Sequence, residues 1–408
     1  MSYGLPRILL ATSFLFAACA ADTTHLSGAD DSGAPPAGGE DGGVTPMVDA
    51  GGGSGNDAGP TSTITTLRIH YPVGSHTLAL RGDTAPLSWT QGVPLTAAAD
   101  GTFTYTFADL PAKAQFKPLL DDATWARGAN YAVARGATVD VYPHFFTTQG
   151  TVKQLFPAFH STVLGNDRVV RAYLPPSYDE NPLAKYPVLY MHDGQNLFDA
   201  ALAFGGNEWK VDETLNAGID SDGSVVQSIG EIIVVAPDNT AQRIYEYTPT
   251  TDPTTPGGGG GDLYLQMLIT ELKPMVDSTL RTLPGRDTTG IMGSSLGGLI
   301  SAYAGVKRPD IYGIVGAMSP STWWNANTII TDVNTMKGVA MRPNLVYVDC
   351  GDPDDDAVDT KLLVAKYVEV GYTEGQNFLH VYQAGAQHNE IYWAQRLPAA
   401  LAFLFGPR

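Results

Sequence analysis

Ser295 stands at the centre of Gly293-Ser294-Ser295-Leu296-Gly297, a Gly-x-Ser-x-Gly spacing set between the apolar Gly290-Ile291-Met292 and a small-residue stretch suited to a helix. That context predicts a strand turning sharply into a helix, with the serine hydroxyl held at the apex. Glycines are needed at 293 and 297 because strand and helix approach the turn too closely there for a Cβ. A hydroxyl so placed can attack a carbonyl carbon, and the adjoining helix N-terminus favours the negative charge that develops.

Such a serine needs a base, and the base needs an orienting acid. Behind a turn of this kind the partners follow in the chain order Ser, Asp or Glu, His. His380 and His388 are the histidines after Ser295. His380 lies in Asn377-Phe378-Leu379-His380-Val381-Tyr382, which alternates like a strand, so it reads as structural. His388 lies in the loop Gly385-Ala386-Gln387-His388-Asn389-Glu390, between that strand and the helical run Tyr392 to Leu397. A base belongs on such a loop at the edge of a parallel sheet, and His388 is taken as the base. For the acid, Asn344 to Gly351 reads as a buried strand that opens into Asp352-Pro353-Asp354-Asp355-Asp356. A carboxylate just past the strand end can accept the imidazole Nδ1–H, and several compete. The chemistry calls for no metal and no cofactor.

The elements that must position these groups alternate. Strands are predicted near 169–174, 186–191, 231–236, 288–292, 313–317, 344–350 and 377–383, and helices over 262–280, 296–306, 357–370 and 390–404. This is an α/β chain, a three-layer sandwich with a mostly parallel sheet. Thr248 to Asp262, rich in Pro, Thr and Gly, is expected to be a mobile loop at the active site. Gly257 to Gly261 lack the Lys-Ser/Thr that a phosphate cradle would need. Asp220-Ser221-Asp222-Gly223-Ser224 lacks the later glutamate of a calcium loop and reads as a surface turn.

Tyr186-Pro187-Val188-Leu189-Tyr190-Met191-His192-Asp193-Gly194-Gln195-Asn196-Leu197-Phe198-Asp199 resembles the strand and oxyanion loop of an esterase family of α/β hydrolases. That family includes feruloyl and acetylxylan esterases, enterochelin esterases, S-formylglutathione hydrolases and mycolyltransferases. Arg243 to Pro249, Glu271-Leu272-Lys273-Pro274, Met318 to Trp324, and His388-Asn389-Glu390 with Trp393 extend the resemblance over about 155–405. It implies a carboxylic-ester hydrolase with Ser295 as nucleophile and His388 as base. The acid three residues past the glycine that closes the preceding strand would be Asp354, with Asp352 and Asp355 still open. The resemblance further implies an oxyanion hole from the backbone N–H groups of Leu296 and Gln195, and Trp209 beside the substrate pocket.

The two ends of the chain differ. Met1 to Ala21 carries one basic residue, Arg7, and an apolar run, which reads as an export signal too short to span a membrane. Leu15-Phe16-Ala17-Ala18-Cys19 resembles a bacterial lipobox, so Cys19 is expected to be lipidated and the mature protein held at the outer membrane of a Gram-negative cell; ordinary cleavage and release is the alternative. Residues 22–60, built of Gly, Ala, Asp, Pro and Ser, cannot bury enough surface to fold and are expected to be a disordered tether. If Cys19 is lipidated or lost, Cys350 stands alone and no disulfide forms. The net charge of -18 excludes nucleic acid as a partner.

From 61 to 150 short alternating segments such as Gly101-Thr102-Phe103-Thr104-Tyr105-Thr106-Phe107, broken by Pro and Gly, predict a smaller antiparallel all-β sandwich ahead of a hydrolase domain over 151–408. Leu80 to Trp89 and Trp125 to Asn130 resemble starch-binding-type carbohydrate modules. Trp89 and Trp125 would then stack on sugar rings. The expected substrates are polysaccharide-linked feruloyl or acetyl esters, or siderophore esters. An acyltransferase using the same three residues, or a surface carbohydrate-binding lipoprotein with a degenerate hydrolase domain, are the alternatives.

Overall fold

The computed structural model describes residues 64–224 and 226–407. The export segment 1–21, Cys19 and the tether 22–60 lie outside the described residues, which all belong to one compact unit.

Residues 65–141 contribute strands: β1 (Thr65–Ile69), β2 (Leu78–Gly82), β3 (Val93–Leu95), β4 (Phe103–Phe107), β5 (Lys113–Leu120), β6 (Thr124–Trp125), β7 (Tyr131–Ala134) and β8 (Thr138–Val141). They form one sheet in the order β4-β1-β8 and another in the order β3-β2-β5-β6, with β7 also on β5. Alternation decides which side chains go inward. In β4, Phe103 and Phe107 are buried and Thr104 and Thr106 exposed. The inward residues Leu67, Ile69, Leu80, Phe103, Phe116 and Val141 share one apolar cluster. One pair departs from the antiparallel expectation: β8 runs parallel to β1, because the chain passes through the other sheet before returning beside it.

The larger sheet is built from β9 (Thr151–Ser161), β10 (Asn166–Leu174), β11 (Val188–Met191), β12 (Ile233–Pro237), β13 (Thr289–Ser295), β14 (Ile314–Pro320), β15 (Leu345–Gly351) and β16 (Phe378–Gln383). Their order is β9-β10-β12-β11-β13-β14-β15-β16. The β9–β10 and β10–β12 pairs are antiparallel and the remainder parallel. β11, β12, β14 and β15 are buried along their whole length, the pattern of strands covered on both faces.

The covering helices are α1 (Ser177–Glu180), α2 (Val211–Ile219), α3 (Arg243–Glu246), α4 (Gly261–Met267), α5 (Lys273–Thr279), α6 (Leu296–Lys307), α7 (Trp324–Asn334), α8 (Ala357–Glu369) and α9 (Glu390–Phe405). Val188 and Tyr190 of β11 pack with Leu265, Leu299 and Leu363 on one face, and Leu189 and Met191 pack with Leu215, Leu397 and Leu401 on the other. The result is helix, sheet, helix. The helix expected over 262–280 is interrupted by a wider π turn at Leu268–Leu272. Pro274 explains it: the ring has no N–H to give and clashes with the carbonyl one turn back, so the backbone loosens just before it. Among the described residues no helix is long and apolar enough to cross a membrane.

One buried ion pair fixes the antiparallel strands to the helices. Arg168 of β10 donates to both oxygens of Glu246 in α3, at 2.9 and 2.8 Å, and both side chains are fully buried. Removing one partner leaves an uncompensated charge in the interior, so Glu246→Ala is expected to lower the unfolding free energy by about 3–5 kcal/mol, measured by urea denaturation. A change below about 1 kcal/mol would show that water reaches the pair.

Candidate active site

Ser295 ends β13 and precedes the first residue of α6, with φ 58° and ψ -124°. A side chain rarely adopts that backbone, which costs on the order of 1–3 kcal/mol and persists only where the surroundings enforce it. The enforcing contacts come from the two flanking glycines. A Cβ on Gly293 would lie 2.8 Å from His192 Cδ2 and 2.9 Å from the Gly297 backbone, and one on Gly297 would lie 3.3 Å from His192 Cβ. The His192-Asp193 turn is thus pressed against the elbow.

That turn is itself held rigid. His192 is buried with its Nδ1 2.9 Å from Tyr264 Oη, and burial pushes its pKa down to about 3, so the ring is neutral. Asp193, with φ 58°, accepts from Arg243 Nε and Nη2 at 2.7 and 2.8 Å and from Asn239 Nδ2 at 2.6 Å. Burial opposes ionisation of Asp193, but the Arg243 charge overcomes it and holds the carboxyl below its ordinary value. Gln195 follows in a short 3₁₀ turn, Gly194–Asn196, and its Oε1 accepts from the Asn239 N–H at 3.1 Å. Leu296 is the first residue of α6, so its N–H has no partner within the helix.

The histidine and an aspartate of the expected set meet. His388 Nδ1 is 2.7 Å from Asp355 Oδ1, with the imidazole about one-third exposed and the carboxylate fully buried. The carboxylate that meets the His388 ring is Asp355, and the expected Asp354 makes no such contact. The reason is the path of the turn: Asp352 is drawn outward to Tyr382 Oη and the Gly385 N–H, Asp354 points to solvent, and Asp355 folds back to accept from the Gly351 N–H at 2.6 Å. Burial alone would raise the Asp355 pKa; hydrogen bonds from His388 and Ser319 and the charge of Arg396 hold it below the usual value. The His388 ring meets Trp393 edge-on at 5.1 Å. Ser295 Oγ is 3.3 Å from Ser321 Oγ, and the Ser321 N–H donates to Ser295 O at 2.9 Å.

Several expected residues lie elsewhere. Trp209 is buried, its ring 5.5 Å from that of Trp393, so it backs the histidine from the core and is not open to a ligand. Loop 248–262 is tied down rather than free. Trp324 Nε1 donates to Thr250 O at 2.9 Å and the Asn325 N–H to Asp252 at 2.8 Å, while Gly258 and Gly260 stand where a Cβ would strike Trp324 and Tyr245. Its glycines serve close packing. His380 sits in β16 with Nε2 3.8 Å from Cys350 Sγ, and burial pushes that thiol up to about 12. Trp89 and Trp125 are about one-third exposed and adjacent, ring centroids 6.2 Å apart, with the Arg81 guanidinium over Trp125. Among the described residues, Glu208, Asp212 and Glu213 bring carboxylate oxygens within 4.8 Å of one another. None of the three bonds to Ser295, Asp355 or His388.

A serine on a strained strand-to-helix turn, a histidine on the loop after the last strand, and a buried aspartate after the strand before it are the arrangement of an α/β hydrolase. Residues 161–404 match the family described as "Putative esterase", and the chain belongs to that family. It is an ester hydrolase. The chain is 28% identical over 258 residues to the protein YbbA of Bacillus subtilis, covering 59% of this chain and 94% of that one. It is 32% identical over 124 residues to a siderophore enterobactin esterase of Emericella nidulans, covering 27% of this chain and 40% of that one. It is 24% identical over 260 residues to an endo-1,4-beta-xylanase/feruloyl esterase of Xylanibacter ruminicola, covering 63% of this chain and 31% of that one.

The geometry separates the neighbouring aspartates. Asp355→Asn is expected to lower kcat on an aryl acetate by about 10⁴-fold, by turning the imidazole to the wrong tautomer, while Asp354→Asn leaves it within about twofold. Equal losses in the two variants would place the acid elsewhere.

Proposed function

We propose that this ester hydrolase is a serine esterase working through an acyl-enzyme on Ser295. The observation that carries the reading is the His388–Asp355 contact of 2.7 Å on a chain whose elbow already presents Ser295. Ser295 Oγ attacks the ester carbonyl while His388 Nε2 takes its proton and returns it to the leaving alcohol. Asp355 stabilises the imidazolium without being protonated. The Leu296 and Gln195 amides would take the oxyanion, each contributing on the order of 3 kcal/mol to the transition state. Water then releases the acid.

For substrate, the reading is a polysaccharide-linked feruloyl or acetyl ester, or a siderophore ester. The kinship with feruloyl and siderophore esterases supports it. Trp89 and Trp125, paired on the surface of the β1–β8 portion, support a sugar-stacking role there. The N-terminal apolar run and Cys19 extend the proposal to an exported, lipid-anchored enzyme at the outer membrane.

The test is acid release from methyl ferulate, acetylated xylan and an aryl acetate, with Ser295→Ala alongside. Loss of all turnover in that variant supports the serine mechanism, and release from the first two narrows the substrate. Trp89→Ala/Trp125→Ala should slow the xylan reaction severalfold and leave the aryl acetate untouched. Turnover that survives in Ser295→Ala would end the proposal.

A further inference from the structure

Asp355 is half of a buried charge system that the three catalytic residues do not account for. Its Oδ2, the oxygen turned away from His388, accepts from Ser319 Oγ at 2.8 Å, the Gly351 N–H at 2.6 Å and Arg396 Nη2 at 3.1 Å. Ser319 Oγ in turn accepts from Arg396 Nη2 at 2.6 Å and Trp393 Nε1 at 3.0 Å. A second carboxylate, Asp349, lies 3.1 Å from Arg396 Nε, off the line of a hydrogen bond, and accepts from the Ser319 N–H at 2.9 Å and Tyr347 Oη at 2.9 Å. Arg396, Asp349, Ser319 and Asp355 are all at least nine-tenths buried. Ser319 holds φ 37°, a backbone that favours glycine, which aims its hydroxyl and its N–H at the two carboxylates at once.

We propose that Arg396, acting on Asp355 both directly and through Ser319, is a positioning residue for the ester hydrolysis: it fixes the rotation of Asp355 so that Oδ1 meets His388, and it is the cation that Asp355 shares with the second buried carboxyl, Asp349. The inference rests on the serine-esterase reading above. Burial pushes the Asp349 carboxyl above its ordinary value and the Arg396 charge opposes that rise, while Asp355 is held below its ordinary value. The imidazolium formed as Ser295 attacks places a positive charge against the ionised Asp355, so the arrangement favours the charged transition state over the ground state. The other ionisable groups near this cluster are Cys350 and Tyr347 on β15, the transient charge of His388, and Lys361, Asp356 and Asp359 on the α8 side. Asp356 interacts with the Thr322 and Trp323 backbone and with Asp359.

Removing the guanidinium leaves Asp349 and Asp355, both held by Ser319, in the interior without a cation, which disfavours ionisation of each. Arg396→Gln is therefore expected to lower kcat on an aryl acetate about tenfold or more, with KM within twofold, and to move the acid limb of the kcat profile to higher pH. Adding Asp349→Asn to that variant removes the repulsion, so the acid limb should return toward wild type. A purely structural role predicts the opposite: the double variant is no better, and the surviving active fraction keeps the wild-type pH profile. If Arg396→Gln does not fold, Ser319→Ala decides, because it removes the relay hydroxyl and keeps the ion pair; an unchanged kcat and acid limb there overturn the proposal. Ser295-dependent turnover in the wild type shows that the esterase reading stands whatever these variants do. The low-field Nδ1 proton of His388, read by NMR, tests the positioning without turnover: it should be present in the wild type and lost in Arg396→Gln, and its persistence would also overturn the proposal.

Discussion

A carboxylate taken wholly out of water has to be compensated where it stands, and Asp355 is compensated by groups from four places in the chain. Gly351 ends β15, Ser319 lies near the end of β14, Arg396 comes from α9, and His388 comes from the loop between β16 and α9. Ser319, Gly351 and the His388–Arg396 segment are distant from one another in sequence, and they converge on Asp355 only when the parallel sheet is in register and α9 lies across it. The order of strands and the packing of α9 through Leu397 and Leu401 are thus tied to one buried charge.

Ser295 is governed by a different constraint, close approach. Ser295 keeps an unfavourable backbone because β13 and α6 are locked together and the His192-Asp193 turn fills the space on the side of the flanking glycines. His192 takes part as a neutral ring, its basicity removed by burial, and Asp193 as a charge neutralised by Arg243. The histidine, neutral, and the aspartate, paired with Arg243, therefore build a wall beside the elbow. Trp393 ties His388 to the buried charges around Asp355, touching the imidazole on one side and donating to Ser319 on the other, with Trp209 behind it.

Much of this was legible in the sequence, for physical reasons. Continuous apolar runs identify strands covered on both faces, and the Gly-x-Ser-x-Gly spacing marks the one place where strand and helix nearly touch. His388 stands out because it falls between a strand and a helix. Edge strand β9 did not stand out, since most of its residues face solvent and no alternation survives. The acid was ambiguous because four aspartates within five positions are chemically alike; only the fold of the turn decides that Asp355 goes inward and Asp354 outward. Arg396 gave no signal at all, because an arginine on an amphipathic helix ordinarily lies at the surface with its charge in water. Trp209 misled for the complementary reason: a tryptophan can serve a pocket or a core, and composition does not say which.

In the proposed mechanism Ser295 is the hydroxyl made nucleophilic by His388 and Asp355. This is tested most directly by treating the folded protein with an aryl fluorophosphonate and mapping the adduct by mass spectrometry. One equivalent on Ser295, formed much more slowly in His388→Ala, is the expected result. An adduct on the neighbouring Ser294 or Ser321 instead, or labelling of Ser295 at the same rate without His388, would contradict it.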